Sequence, residues 1–549
     1  MADDGSGGAA KVSSPAANAL IYTSLACFLV FGLVSGWRSH RNAGLFLKAL
    51  RSQSVWLLSL NFLAVNVGSG IFFTLPEVGT IAGITGVFAY AFASAAPLAL
   101  FALVGPVFRK HNSSQWSMTA FVMERYGRPL HILYGVICTL FVGMYLVSEL
   151  TTISSVFQLL TPVAPLPPTI IICVVTTIYT AFGGVFASLV TDAVQCILIF
   201  VLIIITVIVV AVSVRPSAED IQHVGLVKPT KLGGELFVTL TLAIGFAAAL
   251  HQGFWQRTFA SRNDCDLRWA TFIGFWLVFV VTALVGMAGP LAAWGGTWSA
   301  DSGVPGSSAF FTIVSSLAAW VSGLTLVLCT ALSCCAIDTC QTAMVASLYD
   351  LVEQRVNMWV VRAAVVLLNI PAIVLAERAP NILQVYLTAD LLACATLLPI
   401  LFGLVRRLNF IHWTDAFVGC CGGIIAVGLF GQAYLGNAHD GWQLLLLSGG
   451  LYADDERVLG AFCFAPLGSV VSMFAAAGLR AGVTKLLGRR QYWYVSATPG
   501  AGYETAADAK TGADSARSIC AEGPPPATDS KNGADAVCKP AASVEQPVL

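Results

Sequence analysis

Tyr179-Thr-Ala-Phe-Gly-Gly-Val-Phe-Ala-Ser-Leu-Val-Thr-Asp-Ala-Val-Gln195 places a carboxylate, Asp192, at the head of an apolar run. No charge follows it until Arg215. The run from Cys196 to Val214 is rich in Ile, Val and Leu and is long enough to cross a bilayer. A carboxylate in a membrane helix costs on the order of 2.5–3.5 kcal/mol at its centre, so such residues face a polar cavity or a partner. Asp192 therefore marks a pathway through a membrane. Gly183-Gly184, just before it, reads as a tight turn between two helices.

Composition agrees. Of 549 residues, 57% are hydrophobic and 11% are charged, where a soluble domain carries about 25% charged residues. The chain reads as an all-α polytopic membrane protein. Its net charge of zero gives no field for nucleic acid, and none is expected as a partner. The fifteen cysteines lie mostly inside apolar runs, with no metal-ligand spacing, and read as small buried thiols. No GxSxG, HExxH or Walker loop is present, which argues against an enzyme.

Run length and flanking charge give about thirteen spans: 19–37, 55–75, 80–104, 130–160, 167–182, 185–213, 234–256, 267–294, 313–347, 358–376, 381–405, 411–434 and 460–484. Residues 1–18 form a polar N-terminal segment, 19–486 the transmembrane domain, and 487–549 a polar tail with a disordered composition. With the N-terminus outside, most Lys and Arg residues fall in inner loops, among them Arg38, Arg41, Arg109, Arg125, Arg257, Arg268, Arg355, Arg406 and Arg489. That places the tail in the cytoplasm and the Asn112-Ser-Ser sequon on the inner side. A plasma-membrane location is expected.

Two interior segments break their helices. Asn61-Phe-Leu-Ala-Val-Asn-Val-Gly-Ser-Gly70 packs Asn, Ser and Gly into mid-span, and Gly245-Phe-Ala-Ala-Ala-Leu-His-Gln-Gly253 does so five spans later. Broken helices at mid-membrane are where transporters coordinate ions and solute. Tight packing of small residues is the competing reading of the first segment. His251 reads either as a core imidazole or as a substrate or proton group. Further interior polar residues are Glu149, Asp338, Gln384 and Asp390.

Together these residues resemble the sodium:solute symporter family. Its Tyr-Thr-x-x-Gly-Gly-x-x-x-x-x-x-Thr-Asp-x-x-Gln pattern corresponds to Tyr179, Thr180, Gly183, Gly184, Thr191, Asp192 and Gln195. Arg125-Tyr126-Gly127, Gln256-Arg257 and the Gln384/Tyr386 pair also correspond, and the resemblance covers about residues 55–410. Within the family the chain looks most like the urea active transporter branch. The resemblance implies the leucine-transporter fold, a five-plus-five inverted repeat with core repeats at about 55–213 and 234–405. It implies a cation site at Ala64, Val67, Asp192, Ser333, Cys334, Cys335 and Asp338. It implies substrate contacts at Asn66, Ser69, His251, Gln252, Gln384 and Tyr386.

One departure stands out. Where the family carries adjacent hydroxyls in its eighth core helix, this chain carries Cys334 and Cys335, and thiols are poor ligands for a hard alkali cation. Sodium is the first expectation for the coupling ion, with a proton on Asp192 or Asp338 as the alternative. The expected function is a cation-coupled symporter of a small polar solute with no cofactor beyond that ion. Urea leads, because Gln252, Gln384 and His251 suit a neutral amide. A polyamine would use Glu149 or Asp390 instead. An amino acid, a monocarboxylate, uncoupled facilitation, and a transporter-like sensor signalling through the tail are the remaining readings. Oligomeric state is not legible.

Overall fold

A computed structural model describes residues 12–37, 53–111, 117–352, 357–378, 381–447, 450–451 and 455–487. The tail, Arg38, Arg41, Arg355 and the Asn112 sequon lie outside these. Among the described residues the chain is helical, apart from one isolated bridge between Gln53 and Ser261. Apolar runs force this, because a spanning segment must satisfy its own backbone N–H and C=O groups.

Among the described residues eleven helices are long and apolar enough to cross a membrane. One of them, Leu166–Ser213, is two crossings merged at Gly184, whose φ is 62°. A further crossing is split into short pieces around residues 67–70. Counted this way, the described residues give thirteen candidate crossings, in keeping with the about thirteen expected from run length.

In chain order the elements used below are α1 (Ser14–Gly36), α2 (Val55–Asn66), α3 (Ile71–His111), α4 (Met118–Tyr126), α5 (Arg128–Leu160), α6 (Leu166–Ser213), α7 (Lys231–Leu250), α8 (Gln252–Ala260), α9 (Asp264–Gly286), α10 (Ala319–Leu351), α11 (Met358–Ala376), α12 (Ile382–Leu401), α13 (Trp413–Leu435) and α14 (Arg457–Leu486). The first helix starts at Ser14, five residues before the expected span, because Pro15 is well placed in a first helical turn.

Both expected breaks are present. Helix α2 ends at Asn66, and Val67 is extended at φ −123° and ψ 97°. Helix α3 resumes at Ile71. The second break is a single residue, His251, at φ −71° and ψ 114°, between α7 and α8. Each break opens one half of the core, so two interrupted helices face one another.

The packing is radial. Among the candidate spans of the described residues α10 is the most buried, with 78% of its most apolar stretch buried, whereas α1 has 22%. Helix α1 lies against α6, with Gly32 on Tyr179 and Gly36 on Gly183. Large apolar side chains such as Val30, Leu103, Ile208, Leu367 and Leu479 are exposed, which a bilayer explains and water does not.

Within α3, Gly83 turns the chain at φ 63°, and a Cβ there would lie 2.2 Å from the Leu226 carbonyl oxygen. Gly83→Ala is expected to destabilise the fold by about 1–3 kcal/mol, read as a lower melting temperature in detergent. Gly143→Ala, in α5 with open space around the site, is the control and is expected to melt no lower than the unsubstituted protein. Equal melting of the two variants would contradict this account of the turn.

Candidate functional site

Helix α8 begins immediately after the second break, so its first turn points side chains into the bundle. Arg257 follows in its second turn and is 1% exposed. Its Nη2 reaches Asp192 Oδ2 at 2.6 Å and Thr339 Oγ1 at 2.9 Å. Its Nε donates to the Asn61 carbonyl at 3.0 Å, and its Nη1 to the Gly253 carbonyl at 3.0 Å. One guanidinium thus ties together both interrupted helices, α6 and α10. Its planar fork of five donors is what allows four partners at once. Sequence reading counted Arg257 as an inner-loop topology charge; the structure buries it in the bundle. The signal was present in the Gln256-Arg257 pair.

Asp338 adds a second carboxylate to this locus. It accepts from Tyr179 Oη at 2.7 Å, Ser188 Oγ at 3.1 Å and Thr191 Oγ1 at 3.4 Å. Ser188 also lies 3.5 Å from Asp192. Two acids against one base leave the locus with formal charge −1 when all are ionised. Asp192 Oδ1 accepts no hydrogen bond among the described residues. Among the described residues the cap residue Val67 makes no backbone hydrogen bond, and the carbonyls of the last turn of α2 find no main-chain donor beyond the helix. Ala64 is among these, and both it and the cap residue Val67 are nearly fully buried. A spare carboxylate oxygen on α6 and unclaimed carbonyls at the end of α2 are each the oxygen type of ligand that a hard cation takes.

The thiols and the serine divide between two neighbourhoods. Cys335 Sγ meets Gln195 Oε1 at 2.9 Å, beside Asp192. Cys334 is buried within electrostatic reach of Asp338. Ser333 turns the other way and donates to Ser69 Oγ at 2.7 Å. The register of α10 therefore gives Asp338 and Cys335 to the Asp192 side and Ser333 to the first helix break.

That break is the second neighbourhood. Ser69 donates through N at 3.2 Å and through Oγ at 3.0 Å to Glu149 Oε2. Tyr386 Oη donates to Glu149 Oε1 at 2.5 Å. A Cβ on Gly68 would lie 1.9 Å from Glu149 Oε1, so only glycine admits the carboxylate this close to the backbone. Four residues along α12 from Tyr386, Asp390 accepts from Tyr145 Oη at 2.7 Å. The Tyr145 and Tyr386 rings meet edge to face at 5.1 Å.

His251 packs against Phe141, Tyr145 and Phe254. Its Nδ1 accepts from Gly253 N at 3.0 Å, capping α8. Gln252 is buried beside Cys138. Asn66 donates back to the Phe62 carbonyl at 2.8 Å, within its own helix. Gln384 is the exception among the expected substrate residues: its Nε2 donates to the Leu446 carbonyl at 2.8 Å, away from this cluster. Tyr386, two residues on, points inward because a helix turns about 100° per residue.

Residues 46–423 match the family described as the sodium:solute symporter family. Over 478 residues the chain is 35% identical to the spermidine transporter DUR31 of Candida albicans, covering 86% of this chain and 91% of that protein. Its fold is similar to a solved Na+-coupled sialic acid symporter in a substrate-bound outward-open state. That match has a TM-score of 0.68 at 15% identity and covers 84% of this chain and 98% of the other. It is also similar to Mhp1, a nucleobase-cation-symport-1 family transporter in a closed conformation. There the TM-score is 0.52 at 14% identity, over 80% of this chain and 97% of the other. With the fold, the two helix breaks and the family signature in agreement, the chain belongs to the sodium:solute symporter family and is a cation-coupled membrane transporter, not an enzyme.

Proposed function

We propose that the transported solute is a polyamine of the spermidine type, moved by alternating access and driven by sodium bound at the Asp192 locus. One observation carries this reading. Glu149 and Asp390 are buried carboxylates whose partners are tyrosine and serine hydroxyls and a backbone N–H, with no ion pair among the described residues. Buried charge is costly unless a counter-charge or a proton meets it. A di- or triammonium solute supplies that counter-charge, and the tyrosine rings suit its ammonium and methylene groups. Urea, neutral, would leave both acids without compensation, and Gln384 is turned away from it. The likeness to a spermidine transporter supports the same choice. We further propose a plasma-membrane location, the N-terminus outside and the tail in the cytoplasm, on the distribution of Lys and Arg.

In proteoliposomes with an imposed inward sodium gradient, labelled spermidine is expected to accumulate above equilibrium, with urea at background. Glu149→Gln and Asp390→Asn should each raise the KM for spermidine by about tenfold, the equivalent of about 1.4 kcal/mol. Saturable urea uptake that spermidine does not inhibit would overturn the polyamine assignment. Accumulation driven by a proton gradient and indifferent to sodium would overturn the sodium assignment.

Asp192→Asn leaves Arg257 buried beside a neutral amide, a change that costs about 3–5 kcal/mol in comparable buried pairs. Sodium-stimulated uptake is expected to fall while the protein still reaches the membrane; unaltered uptake kinetics would remove Asp192 from the ion route. Cys334→Ser combined with Cys335→Thr restores hydroxyl ligands and should lower the sodium concentration for half-maximal uptake. An unchanged sodium response would exclude these two positions from the site.

A further inference from the structure

Glu77 was not singled out by sequence reading, and neither neighbourhood above contains it. It lies in α3, one turn beyond Thr74, and is 1% exposed. Its Oε2 has no hydrogen-bond partner among the described residues. The Asn381 side chain, which caps α12, lies against the Glu77 carboxylate. Tyr90, whose hydroxyl donates to Thr74 Oγ1 at 3.2 Å, lies within electrostatic reach of both Glu77 and Asp390. Each of the three acids thus stands beside a marker on or near α12: Glu77 beside Asn381, Glu149 beside Tyr386, and Asp390 on the helix itself.

Helix geometry converts that register into distance. Tyr386 and Asp390 are four residues apart, about 6 Å along the axis, and Asn381 and Tyr386 are five apart, about 7–8 Å. An extended diamine with four carbons is about 6 Å from nitrogen to nitrogen, and a triamine with an added aminopropyl arm about 11 Å, for zigzag bonds near 1.5 Å. The diamine matches the Glu149–Asp390 step. Asn381 and Asp390 are nine residues and about 13–14 Å apart along the axis, a span that the triamine bridges with an ion-pair hydrogen bond of about 2.8 Å at each end and the diamine does not.

We propose that Glu77 is a third ammonium subsite, the residue that makes the transporter prefer triamines over diamines. The proposal rests on the polyamine reading of Glu149 and Asp390. An unpartnered buried carboxylate oxygen suits this role, because the arriving ammonium supplies the donor that Asn381 and Tyr90 do not. None of the three acids is exposed, so loading requires the opening motion that alternating access provides.

The test compares saturable uptake of labelled spermidine and putrescine by the unsubstituted full-length protein, Glu77→Gln and Glu77→Asp, each confirmed at equal amount in the membrane. Glu77→Gln is expected to raise the spermidine KM by about tenfold, the scale of one lost charge-assisted hydrogen bond, and to leave that of putrescine within about twofold. Glu77→Asp, which keeps the charge, should retain most of the preference. Equal loss for both amines, or no change for either, overturns the subsite while leaving the polyamine reading intact. Absence of uptake of either amine by the unsubstituted protein overturns that reading and the subsite with it. Should Glu77→Gln fail to reach the membrane, competition by spermidine against labelled putrescine in Glu77→Asp decides: weaker competition than in the unsubstituted protein supports the subsite, and equal competition overturns it.

Discussion

The buried contact between Arg257 and Asp192 constrains the whole centre of the molecule. A guanidinium that is 1% exposed cannot stand unpaired inside a membrane bundle, so its partners are held to it. Those partners belong to both interrupted helices, to α6 and to α10. Movement of any one of these elements changes the surroundings of Asp192. A cation beside Asp192 would in turn weaken the hold of Arg257. With sodium at the proposed Asp192 site, ion binding and helix position would be coupled electrostatically at one point, which is what a cation-driven transporter needs.

Backbone interruption does the complementary work. A continuous apolar helix presents no free carbonyl to its interior, because every group is used within the helix. At residues 67–70 that economy is suspended: Ser69 N meets Glu149, the Ser69 hydroxyl meets Glu149 and Ser333, and Tyr386 bonds the same carboxylate beside Gly70. The polar interior then divides in two. One side holds Asp192, Asp338 and Arg257 with carbonyls and hydroxyls. The other holds Glu149 and Asp390 with tyrosines. Ser333 and Cys335, two residues apart on α10, fall on opposite sides of the division because a helix rotates about 200° over two residues.

Much of this was legible in the chain. The apolar runs, the kink at Gly183-Gly184 and both helix breaks followed from residue type, because a bilayer leaves few alternatives to a helix and punishes Asn, Gly and His in its middle. The family signature fixed Asp192, Gln256 and Arg257 by position. The role of Arg257 was not readable, since an arginine just after an apolar run looks the same whether it anchors a loop or turns inward. Gln384 turns toward the Leu446 carbonyl for the converse reason. Its spacing matched a motif, but two residues along a helix separate it from Tyr386 by half a turn.

By itself the sequence determined the class, the approximate number of crossings and the places where helices break, because these depend on local hydropathy and local backbone chemistry. Tertiary structure decided which charges meet. Asp192 with Arg257, Glu149 with Ser69 and Tyr386, and Glu77 with Asn381 are pairings across 65 to 304 residues of chain. Side-chain direction around a helix and the packing of one helix on another set them, and neither is a local property.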